Sequence, residues 1–67
     1  MSDVTVHPHA GGRMVDIEAR GGTRRERGAA IAAAHRELGH LELVHRSYSE
    51  GHGFLEATYA RYRVAEA

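Results

Sequence analysis

Residues 23–39, TRRERGAAIAAAHRELG, decide the fold of this chain. Thr23 and Glu26 have the spacing of a capping box, in which the threonine hydroxyl accepts the backbone N–H of Glu26 and the glutamate carboxylate accepts the backbone N–H of Thr23. Alanine, the best helix former, fills the middle of the stretch, and its final glycine suits the left-handed conformation that often follows a helix. The stretch predicts one helix from about Arg24 to Leu38.

One face of that predicted helix is narrow and apolar. Ile31, Ala34 and Leu38 are three or four residues apart, so they fall on one stripe of a 3.6-residue helix. Arg27, Ala30 and His35 flank this stripe. Because the apolar side chains are small, we expect the helix to lie close against a sheet.

The sequence before the helix changes to a period of two, which is typical of strands with one buried face. Val15, Ile17 and Ala19 alternate with polar residues, and Val4 and Val6 indicate a shorter strand ahead of them. The segment between these two strands contains paired glycines, which supply the positive φ angles of a hairpin turn.

Two β-rich runs, 41–48 and 54–64, follow the helix and flank the segment SEGHG at 49–53, which predicts a second hairpin. The chain is therefore predicted to be one small α+β domain over residues 1–67, with a single helix packed on an antiparallel sheet in the order ββαββ. The fallback is βαββ, without the first strand. Apolar side chains point to both faces of the last strand, so we expect either a β-bulge in it or a partner on its free face.

This element order, strand, helix and long hairpin, resembles that of dodecin, a small flavin-binding protein of similar length. Dodecin stacks its flavin on tryptophan, and this chain contains no tryptophan. The resemblance therefore implies an architecture, and we expect no flavin or other cofactor.

Composition limits the classes of protein to which the chain can belong. Its 67 residues contain nine arginines, no lysine, nine acidic residues, six histidines and no cysteine, with a net charge of zero. Without cysteine there is no disulfide framework, thiolate metal cluster or cysteine nucleophile. A chain of this size buries only about 60% of the surface that its unfolded form exposes, so we expect a homodimer. No apolar run approaches the ~20 residues that span a bilayer and no secretory signal is visible, so we expect no membrane contact and a cytoplasmic location.

Arginines are concentrated around the predicted helix start, since residues 20–37 hold five arginines and two glutamates, a net charge of +3. A helix N-terminus already carries about half a positive charge, so cations there are locally unfavourable. Two glycines, open amides and guanidinium groups together suit an anion, whether phosphate, a nucleic-acid backbone or a partner's carboxylates. The alternative is that these arginines are solvated or pair with nearby acids. The predicted anion-binding residues are Arg20, Arg24, Arg25 and Arg27.

A second group of arginines and tyrosines lies on the predicted second hairpin. Such side chains on a sheet can stack bases and hold phosphates, and they are also enriched at the centres of protein interfaces. The structural alternative is that the tyrosines complete the core while the arginines pair with Glu42 and Glu56 across strands. The predicted partner-binding residues are Arg46, Tyr48, Tyr59, Arg61, Tyr62 and Arg63.

His7 and His9 are two residues apart, so on an extended chain both rings project from one side and could bind one metal ion. A third ligand could come from His45 or His52. The close-set four-ligand pattern of a structural zinc site is absent from the sequence, so no metal is predicted, and these two histidines are the candidates if one binds. The alternative is that the histidines are mostly exposed and gain charge together as the pH falls through about 6.5.

The sequence predicts no catalytic activity. No serine lies in a nucleophile-elbow context, no carboxylate pair stands apart from the surface charge, and a chain this short has little room for a pocket of ~300 Å³. We expect a non-enzymatic binding protein that occupies a surface of a larger protein or ribonucleoprotein, as an adaptor or an inhibitor. This profile is similar to that of small phage-encoded inhibitors such as anti-CRISPR proteins.

Two other functions stay open at this point. One is a nucleic-acid-binding module that uses the arginine-rich helix start and the arginine–tyrosine strand. The other is a histidine-based protein that responds to metal or pH.

Overall fold

The computed structural model describes residues 2–49 and 56–65. Strands β1 (Asp3–His9) and β2 (Met14–Arg20) come first, helix α1 (Arg24–Leu38) follows, and strands β3 (Leu41–Ser49) and β4 (Ala57–Val64) come last. The predicted ββαββ order is confirmed, so the fallback without the first strand is not needed. Residues 54 and 55, which began the predicted last strand, lie outside the described residues.

The four strands form one antiparallel sheet in the order β1-β2-β4-β3. Strands β2 and β4 are therefore the inner strands, and β1 and β3 are the edges. Strands β2 and β3 run parallel with β4 between them, and α1 is the crossover that joins them across one face of the sheet.

The helix has the bounds that the sequence predicts, and its capping box is formed. The Thr23 hydroxyl accepts the Glu26 N–H at 3.1 Å, and the Glu26 carboxylate accepts the Thr23 N–H at 2.9 Å. Gly39 follows the helix with a φ of 61°, and its N–H donates to the His35 carbonyl at 3.0 Å. Local signals alone thus fix both ends of α1.

The core lies between α1 and the inner strands. Ile31 packs against a cluster of fully buried side chains, Ile17, Ala19, Ala60 and Tyr62. Two of these neighbours are alanines, so the helix lies close to the sheet, as predicted. Leu38, which the sequence places on the same helical stripe, is instead 48% exposed at the end of α1.

The turn between β1 and β2 uses its glycines as the sequence predicts. Gly11 and Gly12 have φ angles of 66° and 84°, and the Arg13 N–H donates to the Ala10 carbonyl at 3.2 Å. Ala10 has a positive φ of 53° as well, so three successive residues of this four-residue loop adopt positive φ, and glycine occupies two of the three positions without strain.

Of the two alternatives for the last strand, a bulge within it or a partner on its free face, the bulge is wrong for the described residues 57–64, because the irregularity lies in β3. Leu43 is paired with Tyr62 and His45 with Arg61, so Val44 is an extra residue opposite two consecutive residues of β4. Strand β4 itself pairs with β2 without interruption. Two of its apolar residues, Ala60 and Tyr62, are buried in the core beneath α1.

Arg27 is a charged side chain in the interior, with 1% of its surface exposed. Its Nε donates to the Thr58 hydroxyl at 3.0 Å and its Nη1 donates to the Gly22 carbonyl at 2.7 Å. Its Nη1 also lies 3.6 Å from the Glu56 carboxylate. The guanidinium therefore joins the first turn of α1 to the start of β4 and to the glycine turn before the helix.

Replacing Arg27 should destabilise the fold. Arg27→Ala leaves the Thr58 hydroxyl, 2% exposed, without its donor, so we expect the free energy of unfolding to fall by about 2–3 kcal/mol. Arg25→Ala, an exposed change in the same helical turn, should alter it by less than ~0.5 kcal/mol. Urea unfolding at pH 7 measures both variants. Equal losses in the two variants would contradict a structural role for the buried guanidinium.

Candidate functional site

Helix α1 covers one face of the sheet, and within the described residues no second layer covers the other. We call this other face the open face. Residues paired across neighbouring strands share a face, so the register assigns its side chains. They are Asp3, Thr5, His7 and His9 of β1, Met14, Asp16, Glu18 and Arg20 of β2, Ala57, Tyr59, Arg61 and Arg63 of β4, and Glu42, His45 and Ser47 of β3.

Asp16 is the first of two carboxylates near the middle of the open face. Arg61 binds it with two parallel hydrogen bonds, Nε to Oδ1 at 2.8 Å and Nη2 to Oδ2 at 2.9 Å. His9 Nε2 lies 2.9 Å from Oδ2. The hydrogen bonds from Arg61, with a smaller contribution from His9, hold the pKa of Asp16 below its ordinary value although burial acts in the opposite direction. The same contact raises the pKa of Arg61.

Glu18 is the second carboxylate, and it is buried although it lies on the open face. His7 Nε2 lies 2.8 Å from its Oε1, and Arg20 Nε donates to its Oε2. Arg20 Nη2 also donates to the Tyr59 hydroxyl at 3.1 Å. The hydrogen bond from His7, assisted by that from Arg20, lowers the pKa of Glu18 against the effect of burial.

The two carboxylates have equivalent surroundings. Each lies on β2 between a histidine of the edge strand β1 and an arginine. Because a carboxylate with a lowered pKa is a poor proton carrier near neutral pH, the arrangement suits ionic recognition better than acid–base chemistry. We call these residues, His7, Glu18 and Arg20 with His9, Asp16 and Arg61, the paired-carboxylate network.

His7 and His9, the candidate metal ligands, lie on one side of β1, as the sequence predicts. Their rings contact different carboxylates, His7 that of Glu18 and His9 that of Asp16. No group of three or more potential ligands is assembled among residues 2–49 and 56–65. The strand register aligns His45 with His7 across the sheet, with Asp16 and Arg61 between them. Three strand spacings therefore separate the backbones of the two histidines, a distance of about 14 Å. His52 lies outside the described residues. The structure thus brings no third ligand to His7 and His9.

The arginines predicted around the helix start do not form one site. Arg24 and Arg25 are exposed in the first turn of α1, whereas Arg20 is on the open face with Glu18. Arg27 is buried and holds the fold together, so it is unavailable to an external anion. Arg27 lies four residues before Ile31, at the edge of the apolar stripe of α1, and this position is the sequence signal that indicates its burial.

The predicted arginine–tyrosine group is divided between the two faces, since alternate residues of a strand point in opposite directions. Tyr62 lies in the core with its ring 4.5 Å from that of His35, and burial raises its pKa while the positive charge of Arg46 acts in the opposite direction. Arg46 is on the helix side, because it is paired with the core residue Ala60. Tyr59, Arg61 and Arg63 are on the open face.

Two further predictions concern strand β3. Arg63 Nη2 donates to the Glu42 carboxylate at 2.6 Å, which is the cross-strand pairing expected as the structural alternative. The backbone of Tyr48 pairs with Thr58, but the Tyr48 side chain lies outside the described part of the structure. The partner-binding role predicted for Tyr48 therefore stays a prediction.

Near its centre the open face contains a shallow hollow of about 260 Å³ lined by Asp16, His45, Ser47, Tyr59 and Arg61. The hollow brings together residues of three strands that are distant in sequence. It is polar, and the Asp16–Arg61 ion pair forms part of its wall.

No known protein family, curated protein sequence or solved structure matches this chain. The similarity to dodecin therefore remains one of element order, and no function is transferred from it. Within the described residues, no helix is both long enough and apolar enough to span a membrane.

The paired-carboxylate network predicts how stability changes in acid. The pKa values of Asp16 and Glu18 are lower in the folded chain than in the unfolded chain, so the unfolded chain takes up protons first as the pH falls. The stabilisation is complete above about pH 5 and is lost progressively below it. Asp16→Asn should therefore be less stable than the wild type at pH 7 and lose less stability between pH 5 and pH 3. Urea unfolding across this range measures both slopes.

The control for this prediction is Glu37→Gln, which changes an exposed carboxylate on α1. We expect this variant to keep the acid sensitivity of the wild type. An Asp16→Asn variant with the same sensitivity would show that the ion pair contributes nothing to stability.

Proposed function

We propose that this chain is a non-enzymatic protein of the cytoplasm that binds a larger protein, alone or within a ribonucleoprotein, through the open face of its sheet. It would act there as an adaptor or an inhibitor. The observation that carries the proposal is an uncovered sheet face whose charged side chains are already held in fixed positions by one another.

Preorganisation supports this role for the open face. Arg61 is held by two hydrogen bonds to Asp16, and Arg20 is held between Glu18 and Tyr59. Side chains that are ordered before binding lose less conformational entropy in the complex. Arginine and tyrosine are also the residues that most often contribute strongly to protein interfaces.

The charge pattern favours a protein over a nucleic acid. Each arginine of the open face contacts a carboxylate, since Arg20, Arg61 and Arg63 bind Glu18, Asp16 and Glu42. A phosphate backbone that approached these arginines would also meet the carboxylates, which cancels the attraction that drives nucleic-acid binding. A protein surface can present both signs of charge in a complementary order.

Site-specific photo-crosslinking tests the proposal in the cells from which the chain comes. Benzoylphenylalanine at position 5 replaces Thr5, which is exposed on the open face, and the matched control places it at Ala33, which is exposed on α1. We expect a discrete protein adduct from position 5 and none from position 33. Adding Arg61→Ala should remove the adduct, because the fixed guanidinium is lost from the interface.

Equal adducts from both positions, or none from position 5, would contradict the proposal. Two results together would favour the nucleic-acid alternative instead. The adducts would disappear after nuclease treatment, and the chain would bind a random duplex with sub-micromolar affinity at 150 mM salt, a binding that Arg24→Ala and Arg25→Ala abolish.

The homodimer expected from the sequence stays a prediction. It is expected because the chain is short and because apolar residues point to both faces of the last strand. Part of that apolar character is explained within one chain, since α1 covers Ala60 and Tyr62. Light scattering at micromolar concentration should give twice the mass of one chain if the homodimer forms. The mass of a single chain at concentrations up to about 1 mM would exclude it.

A further inference from the structure

A groove of about 720 Å³ lies at one end of the sheet, where the turn between β1 and β2 meets the start of β3 and the end of β4. We call it the turn groove. Its volume is within the range of about 300–1,000 Å³ that is usual for small-molecule sites, so the expectation that a chain this short has little room for such a pocket is wrong. It lies outside the paired-carboxylate network, since none of the six residues of that network lines it.

The walls of the turn groove are held together by backbone hydrogen bonds. The Val64 N–H donates to the Arg13 carbonyl at 2.9 Å, which ties the end of β4 to the turn. The Ala65 N–H donates to the His40 carbonyl at 2.7 Å, which ties the same segment to the residue before β3. The groove is therefore formed in the free protein, and little ordering is needed when a ligand binds.

Much of the groove surface is apolar. The apolar residues Met14, Val64 and Ala65 line the groove around the end of the sheet, and the turn contributes Ala10, Gly11 and Gly12. A Cβ atom built on either glycine would meet nothing within 4 Å, so the space beside the turn is open. Such a surface suits an aliphatic group, which gains free energy when it leaves water.

The charges that line the groove favour an anion. Arg63 is engaged by Glu42 at 2.6 Å. Arg13 is exposed at the turn, and within residues 2–49 and 56–65 no carboxylate lies within ion-pair distance of it. The described residues that line the groove include two arginines and one glutamate, and among these residues Arg13 is the cation without a carboxylate in contact.

We propose that the turn groove binds a small amphipathic carboxylate, such as a medium-chain fatty acid. The carboxylate would bind the Arg13 guanidinium, and the aliphatic chain would lie along Met14, Val64 and Ala65. The charge and the apolar surface of the groove both favour this class of ligand. A purely apolar ligand would make no ion pair with Arg13, and a purely polar anion would leave the apolar wall of the groove in contact with water. The turn groove shares Met14, Glu42 and Arg63 with the open face, but the proposed carboxylate site uses none of the six residues of the paired-carboxylate network.

Titration of the isotope-labelled protein with octanoate, followed by NMR, tests the proposal. We expect saturable shifts of the backbone amides of residues 10–14 and 63–65. Octanamide, which has the same chain without the charge, should bind at least tenfold more weakly. Arg13→Gln should weaken octanoate binding about tenfold, because it removes a charge-assisted hydrogen bond.

Arg25→Gln is the matched control, since it removes an exposed arginine that does not line the groove. It should leave octanoate binding unchanged. Shifts that do not saturate, equal binding of octanoate and octanamide, or unchanged binding by Arg13→Gln would each overturn the proposal. Shifts of the same amides by a protein partner, without any by octanoate, would show that a peptide segment occupies the groove and would also overturn it.

Discussion

The Arg27 guanidinium lies inside the protein with two neutral oxygen acceptors, the Thr58 hydroxyl and the Gly22 carbonyl. A cation removed from water without such partners would cost several kcal/mol, so this side chain is compatible only with a fold that brings these acceptors to it. The requirement joins three separate segments: the glycine turn, the first turn of α1 and the start of β4. It fixes the helix across the inner strands, and the position of the helix determines which face of the sheet is left uncovered.

The charge pattern of the uncovered face follows from the position of β2 as an inner strand. Its two carboxylates have a neighbouring strand on each side, so β1 supplies a histidine to each while the arginines come from β2 and β4. Positive and negative groups therefore alternate over short distances. A surface of this kind attracts partners through the order of its charges, since its net charge is small, and it rejects surfaces whose charges fall in another order.

The helix and the first hairpin could be predicted because their signals are local. The capping box at Thr23 and the paired glycines at the first turn each operate within a few residues of the chain. The site could not be predicted in the same way. Asp16 and Arg61 are 45 residues apart, and their contact depends on the pairing of β2 with β4, which no local pattern encodes. Apart from its position beside the apolar stripe of α1, nothing local distinguishes Arg27 from the exposed arginines of its turn, because its acceptors come from elsewhere in the fold.

Each edge of the sheet also contains an interruption, and this affects how the protein behaves at high concentration. Pro8 lies in the edge strand β1 and has no N–H to offer to an added strand, and the extra residue at Val44 disturbs the regular spacing of hydrogen-bonding groups along β3. Copies of the chain therefore cannot join edge to edge into a continuous sheet without breaking the ladder at one of these points. The protein can expose a wide polar sheet face and still resist growth into fibrils.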